Sequence, residues 1–407
     1  MSNWVAISIF LIIYLFISVQ RFPFIKIDRP AGVFTGVTLL IYAGIITLEE
    51  GYGFIDWDVI TFLLGMMVTV SYLQNSGFFA LAAQFIVKKC KSPKSLLAGI
   101  TISSALLSAL FVNDTVCLLF APVIISAALA LKTNPIPYLA ALTLSSNIGS
   151  ALTITGNPQN MYIGVTTGIS FVKFAAMTVV PVALSLIAAY IVLRIVYKKY
   201  MKPFEKTEHK IEYIQIDKPL MIKSLLSLLI TIALFISGVG YAVAALTGAT
   251  VIILLAGIKP AKVFNKIDWP ILLFFAGLFI VMGAFEKMGY ASALINAAES
   301  YTELDNIYSI GIFSAIAALL SNAVSNVPAV ILMMPIAENS HTSAVLLSLA
   351  STCAGNLTLV GSVANLIVAE RAESCGVSFS FTEHLKAGIP VTVISCVIAA
   401  IWIYIIS

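Results

Sequence analysis

The chain is 407 residues long, 60% apolar and only 10% charged, with a formal net charge of +4. A soluble domain averages about 45–50% apolar and about 25% charged residues, so no soluble core of this length encloses the apolar surface carried here. The composition excludes a soluble globular protein and leaves an all-α polytopic membrane protein whose first partner is the lipid bilayer, with no nucleic-acid partner expected.

In chain order, weakly charged windows of about 17–25 residues, enough to cross a hydrocarbon layer about 30 Å thick, fall near residues 4–20, 32–48, 57–75, 95–112, 174–196, 224–238, 240–257, 269–285, 307–322 and 387–405. The first has no basic leader or small-residue cleavage site and is expected to remain as a helix. Arg21, Lys26 and Arg29 follow the first window, Lys88, Lys89, Lys91 and Lys94 follow the third, and Lys259, Lys262 and Lys266 precede the eighth. Such clusters mark cytoplasmic loops. Glu49, Glu50, Asp56 and Asp58, and later Glu299, Glu303 and Asp305, belong to the opposite face. Residues 197–222 read as a charged cytoplasmic linker between a first repeat, 1–196, and a second, 223–407, in a cell inner (cytoplasmic) membrane.

The repeat is visible in the residues. Ile55, Asp56 and Trp57 return 212 positions later as Ile267, Asp268 and Trp269. Ser108, Asn113 and Pro122 return as Ser321, Asn326 and Pro335, and Ser146, Thr153, Gly156 and Asn160 as Ser351, Thr358, Gly361 and Asn365. The first copy of the Trp-led span runs from the acidic face to the lysines and the second runs from the lysines outward, so the copies are inverted. Inverted repeats with interrupted helices are a transporter architecture, with the substrate near the midplane. About 10–12 membrane spans are expected, with re-entrant hairpins and broken helices.

The interruptions are polar and glycine- or proline-bearing clusters inside apolar sequence. They are Asn113-Asp114-Thr115; Ser146 and Asn147 through Thr153, Gly156, Asn157 and Asn160; Asn322, Ser325 and Asn326; and Thr352, Asn356, Thr358, Gly361 and Asn365. Irregular backbone of this kind must line a cavity or be buried in protein. Amides and hydroxyls both donate and accept hydrogen bonds, half-helix N-termini favour anions, and exposed carbonyls can coordinate Na+. Small residues in membrane helices also simply allow close packing. Asp114 is the sole charge between Lys94 and Lys132. An intramembrane carboxylate points to proton or ion coupling, against the alternative that it caps the helix starting near Thr115.

Cys90, Cys117, Cys353, Cys375 and Cys396 show no metal-ligand or disulfide spacing. No cofactor is expected, and Cys117 and Cys353 are read as small apolar residues despite their place beside polar clusters. His209, His341 and His384 are expected in solvated connections. No dyad or metal set indicates an enzyme.

The stretches Asn113-Asp114-Thr115-Val116-Cys117 with Pro122, and Ser146-Asn147-Ile148-Gly149 leading to Thr155-Gly156-Asn157-Pro158-Gln159-Asn160, resemble the arsenite permease and related anion permeases of the ion transporter superfamily. That superfamily includes the sodium-coupled dicarboxylate transporters, and the resemblance runs over nearly the whole chain. It implies outer scaffold helices around two re-entrant hairpins, tipped by Asn113-Asp114-Thr115 and Ser325-Asn326-Val327, and two broken helices at 146–160 and 352–365. The dicarboxylate branch has Ser-Asn-Thr at its tips, from which this chain departs. For the arsenite branch the implied activity is proton-driven efflux of arsenite or antimonite, conferring arsenical resistance by antiport, with Asp114 as coupling residue. A sodium-coupled di/tricarboxylate or sulfate carrier and a cation/proton antiporter are the alternatives. A homodimer and a soluble ATPase partner are both compatible with the resemblance.

Overall fold

A computed structural model describes residues 3–18, 28–201, 204, 216–290, 306–338 and 340–407. These are overwhelmingly helical, with no strand among them. The middle of the 197–222 connection, the acidic residues Glu299, Glu303 and Asp305, and His209 lie outside the described residues.

The first half contains α1 (Asn3–Ser18), α2 (Arg29–Tyr42), a short α3 (Leu48–Phe54), α4 (Trp57–Asn75), α5 (Phe78–Lys89), α6 (Pro93–Leu110), α7 (Asn113–Ala130), α8 (Ile136–Ser150), α9 (Pro158–Thr167) and α10 (Phe171–Val196). The second contains α11 (Lys218–Ile236), α12 (Tyr241–Leu255), a short α13 (Pro260–Phe264), α14 (Trp269–Lys287), α15 (Ile307–Val324), α16 (Asn326–Ala337), α17 (His341–Ala354), α18 (Val363–Ser374) and α19 (Phe381–Ile406). From α11 on, the second half repeats the first helix for helix, save that the counterpart of α5 falls outside the described residues.

Helix starts explain much of the sequence repeat. Asp56 accepts from the Val59 N–H to cap α4, and Asp268 accepts from the Ile271 N–H to cap α14, so the Ile-Asp-Trp signature marks a helix start. Ser170 and Ser380 cap the 26-residue helices α10 and α19 in the same way. Asp217 and the proline after Lys218 open α11 ahead of residue 224, so the end of the 197–222 connection is helical. Among the described helices, α4, α6, α7, α10, α11, α14, α15 and α19 are long and apolar enough to cross a membrane. The windows expected at 32–48 and 240–257 are shorter helices of 14 and 15 residues. In contrast α7, not singled out as a span, has 18 residues, because Asn113 and Asp114 sit at its start and leave the rest apolar.

The halves pack through one another. α4 lies on α12, α14 on α2, α10 on α19 and α7 on α18, while α6 supports α8 and α15 supports α17. α10 and α19 present Ile187, Ile191, Val393 and Val397 outward, as lipid-facing helices do. Enclosed behind them, α8 is buried from Pro137 to Ser150 and α17 from Ser343 to Ala354. The Ser, Thr and Asn side chains of the sequence clusters therefore lie in helices shielded from lipid, where protein groups satisfy them.

Close approach has a steric basis. A Cβ on Gly149 of α8 would lie 2.3 Å from the Cα of Ala105 on α6, backbone that cannot yield cheaply. Gly149→Ala is expected to destabilise the fold by about 1–3 kcal/mol, seen as a lower unfolding temperature of the detergent-purified protein; an unchanged temperature would show that the α6–α8 contact is looser than described.

Candidate functional site

The site begins with two helix breaks. α8 stops at Ser150 and a 3-10 turn at Ile154–Gly156 precedes α9; α17 stops at Ala354 and a 3-10 turn at Leu359–Gly361 precedes α18. Each stop orphans backbone carbonyls. Asn160 Nδ2 donates to the carbonyls of Ser150 (3.1 Å) and Thr153 (3.0 Å). Asn365 Nδ2 donates to those of Gly355 (2.8 Å) and Thr358 (3.1 Å). The same amide clamp thus closes both breaks at equivalent positions. Gly156 leaves room for the first, since a Cβ there would lie 2.1 Å from the Ser150 oxygen. Thr153 and Thr155 both donate to the Ala109 carbonyl at the end of α6. In the second half Asn322 serves instead, donating to the Ala354 carbonyl (2.8 Å) and accepting from Thr358 (3.2 Å).

Bonds then cross between halves. Asn147 Nδ2 donates to Asn356 Oδ1 (2.9 Å) and Asn365 Oδ1 (3.2 Å), and its own Oδ1 accepts from Asn113 (2.8 Å) and Ser362 (3.1 Å). Thr352, its counterpart, accepts from Asn157 (3.3 Å) and Gln159 (3.2 Å), while Ser348 donates to Asn160 Oδ1 (2.6 Å). All of these are buried, Gln159, Ser362 and Asn113 retaining 3–5% exposure.

The hairpin tips differ. α6 passes to α7 through Phe111 and Val112, whereas α15 passes to α16 through Ser325 at a left-handed φ of 77°, uncommon for a residue other than glycine. Asp114 does not cap its own helix, where Val112 holds the cap position without a side-chain bond. Its carboxyl group faces the first turn of α18, where the Ala364 N–H bears on it. Ser362 at that helix start makes no cap bond, while α9 is capped within its own half by Asn157, which accepts from the Asn160 N–H at 2.8 Å. The residue equivalent to Asp114 on α16, the helix that packs on α9, is Val327. One half-helix start is capped by its own asparagine; the other has no side-chain cap of its own and faces a carboxyl group from the opposite repeat.

Both hairpin tips, the starts of α9 and α18, and the starts of α2 and α14 enclose a cavity of about 210 Å³. Its polar wall is Arg29, Asn113, Asp114, Gln159, Asp268, Ser325, Asn326 and Ser362, and its apolar wall includes Phe274, Phe275 and Val327. Arg29 Nη1 donates to Ser325 Oγ at 3.1 Å, and Arg29 Nε is buried without a hydrogen-bond partner. Arg29 and Asp268 are the charges that bear on Asp114. The wall therefore sets one guanidinium against two carboxyl groups.

Among the residues picked from sequence, Asn113, Asp114, Ser325 and Asn326 reach this wall. Thr115 sits next along α7, half-buried and outside it. Ser146, Asn147, Thr153, Gly156, Asn157, Asn160, Asn322, Thr352, Asn356, Thr358, Gly361 and Asn365 lie behind it, in the breaks and the bonds between them. Arg29, Gln159, Asp268 and Ser362 line the cavity without having been singled out for it. Arg29 reads in sequence as a loop charge, yet it opens α2 and half its side chain is buried. Asp268 carried one signal, its place in the repeated Ile-Asp-Trp. His384 is not in a solvated connection: Ser380 starts α19 early enough to place it inside the helix, buried, with Nε2 2.9 Å from the Asn356 carbonyl oxygen. His341, at the start of α17, lies 2.8 Å from Lys173 Nζ. Cys117 is buried with Sγ 3.0 Å from Ser146 Oγ, and Cys353 is buried too.

Crossed hairpins and clamped half-helices around a cavity lined by both polar and apolar groups, in a bundle of membrane-crossing length, are those of a multi-pass membrane transporter. The chain belongs to the CitMHS family, described as citrate transporters, whose family model matches residues 13–346. It is 31% identical to a 46 kDa membrane protein of Mycobacterium leprae over 98% of both chains. It is 27% identical to the silicon efflux transporter LSI3 of Oryza sativa subsp. japonica over 96% of this chain and 94% of that one. Its fold resembles the crystal structure of the Alcanivorax borkumensis YdaH transporter, described as having an unusual topology, with a TM-score of 0.57 at 14% identity, covering 99% of this chain and 96% of the other.

Replacing either clamp with an apolar residue of similar size, Asn160→Leu or Asn365→Leu, removes the amide donor from the Ser150 or the Gly355 carbonyl and the amide acceptor from Ser348 or Asn147, while Thr153 and Thr358 keep the N–H groups of Gly156 and Gly361. At about 1–3 kcal/mol per orphaned group, each variant is expected to yield markedly less folded protein and a lower unfolding temperature than Asn113→Ala. Equal stability of all three would dissolve the distinction between clamp and wall.

Proposed function

We propose that this transporter carries a small, hydroxylated, uncharged inorganic acid of the arsenite or antimonite type, exported in exchange for protons by alternating access across the cytoplasmic membrane. The observation that carries the reading is the charge of the cavity wall. Arg29 is offset by Asp114 and Asp268, so the site holds no surplus of positive charge with which to offset the desolvation of a di- or trianion. Its volume, about 210 Å³, lies below the roughly 300–1,000 Å³ of pockets for drug-sized ligands and suits a solute of a few heavy atoms. Amide, hydroxyl and carboxyl groups can exchange hydrogen bonds with a hydroxide of this kind on several sides. The naming of the rice relative for silicon efflux agrees with such chemistry.

In this reading Asn113, Asp114, Ser325 and Asn326 meet the solute, and Asp114 carries the coupling proton. A carboxylate facing the first turn of α18 loses charge, and with it part of its attraction to that helix start, when it takes up a proton. Binding of a proton is thereby tied to the contact between the two halves. Arg29 and Asp268 stand at helix starts that the charge pattern assigns to the cytoplasm, so the cavity is reached from that side. The family's description as citrate transporters favours a second reading, a sodium-coupled carboxylate carrier, in which Arg29 receives a carboxylate.

Flux of arsenite and antimonite in proteoliposomes under an imposed pH gradient, with and without Na+, separates the two. Gradient-driven metalloid movement is expected, independent of Na+ and lost in Asp114→Asn, a variant that keeps an oxygen for the Ala364 N–H and should remain folded. Na+-dependent citrate flux without metalloid movement would transfer the assignment to the second reading.

A further inference from the structure

The asparagine side chains behind the cavity form a relay whose direction is fixed at its far ends. An amide can in principle be turned either way, but a backbone carbonyl can only accept. Asn356 Nδ2 meets the Leu144 carbonyl oxygen at 3.1 Å, which obliges its Oδ1 to face Asn147. Asn365 Nδ2 meets the Gly355 and Thr358 carbonyls, which obliges its Oδ1 to face Asn147 as well. Asn147 thus confronts two oxygens and must offer them its Nδ2. Its Oδ1 is left pointing at Asn113 and Ser362. Asn113 in turn must offer its Nδ2 to Asn147, at 2.8 Å. The amide oxygen of Asn113 takes no donor from the described residues, and of its two N–H groups one is committed to Asn147.

We infer that Asn113 biases which solutes are accepted by turning its unpaired amide oxygen away from Asn147 and toward the cavity, so that a solute bringing an O–H to it is preferred, with Asn147 and Asn356 as positioning residues. The inference rests on the reading of the cavity as the substrate site, and sharpens it to a protonation state. Beside Asn113, Asp114 adds further acceptors on the same hairpin tip, so a fully ionised oxyanion meets an excess of oxygen there. A fully or partly protonated oxyacid has the hydrogen that these acceptors take. His384 secures the far end of the relay, since its Nε2 lies 2.9 Å from the backbone oxygen of Asn356, and Gly388 leaves space for that contact, a Cβ there falling 2.5 Å from the same oxygen. The first repeat has no such relay: at the positions equivalent to Asn356 and His384 stand Ala151 and Phe174.

The test is stabilisation against heat of the full-length protein in detergent at neutral pH and constant ionic strength. The probes are arsenite, boric acid and orthosilicic acid, which bear O–H groups and are uncharged under these conditions, against sulfate and oxalate, with Na+ exchanged for choline throughout. The hydroxy acids are expected to bind at least about tenfold more tightly than the ionised anions, the effect of roughly one hydrogen bond. In Asn356→Leu, which leaves Asn365 as the one remaining oxygen holding Asn147 in place, this discrimination should weaken. Asn113→Ser, whose hydroxyl both donates and accepts, should lose it without disturbing the rest of the relay. Sulfate or oxalate binding wild type as tightly as the hydroxy acids overturns the inference, as does stabilisation by Na+ alone or full discrimination retained in Asn113→Ser. Binding of boric and orthosilicic acids without arsenite would refute the metalloid named above and leave the polarity of Asn113 standing. Arsenite flux with equal binding of sulfate would do the reverse.

Discussion

A backbone carbonyl stripped of its helix partner inside a membrane protein has no water to turn to, and this structure has to provide for such carbonyls at two places at once. Its answer at both is the amide nitrogen of an asparagine seven or ten residues further along, Asn160 in the first half and Asn365 in the second. Much else follows from that constraint. The breaks must lie in helices withheld from lipid, which is why α8 and α17 are enclosed. Glycine must stand at Gly156, because the returning chain passes against the Ser150 oxygen. With both breaks clamped, the starts of α9 and α18 are held at the cavity, where their N–H groups and the hairpin tips define its polar side.

The two halves share this scheme and differ where the solute and proton are expected to act. Asp114 in one hairpin answers to Val327 in the other, and Asn157 at one half-helix start answers to Ser362 at the other. The two differences meet at one contact, since the helix start without a side-chain cap is the one that faces Asp114, while the start capped by Asn157 faces the hairpin carrying Val327. In the proposed reading, protonation of Asp114 would act on that contact.

The architecture was legible in the sequence because its causes are local. Apolar windows report helices, lysine clusters report loops, and the repeated Ile-Asp-Trp, Pro and Thr-x-x-Gly-x-x-x-Asn signatures report helix starts and breaks. The division of labour among the polar residues was not. Asn147 and Asn113 are both amides in polar clusters, and nothing in the one-dimensional order says that Asn113 faces a cavity while Asn147 faces Asn356 and Asn365. That depends on contacts spanning more than 200 residues. Arg29 was hidden by a rule that is right on average, since a basic residue after a first membrane span is usually a topological marker; its bond to Ser325 joins positions 296 residues apart. His384 was misread because a histidine beside acidic and basic neighbours resembles a loop residue until the start of α19 is fixed by Ser380.

This asymmetric contact bears on whether either half could stand in for the other. Two copies of the second half would place Ser362 opposite Val327 twice and leave both half-helix starts without an acceptor. Two copies of the first would bring a carboxylate to each helix already capped by its own Asn157, burying two negative groups with no N–H to receive them. The two halves are therefore not interchangeable at this contact, although the asparagine clamps repeat in both: a chain built by duplicating either half alone would keep both breaks closed and lose the pairing of a carboxyl group with an uncapped helix start.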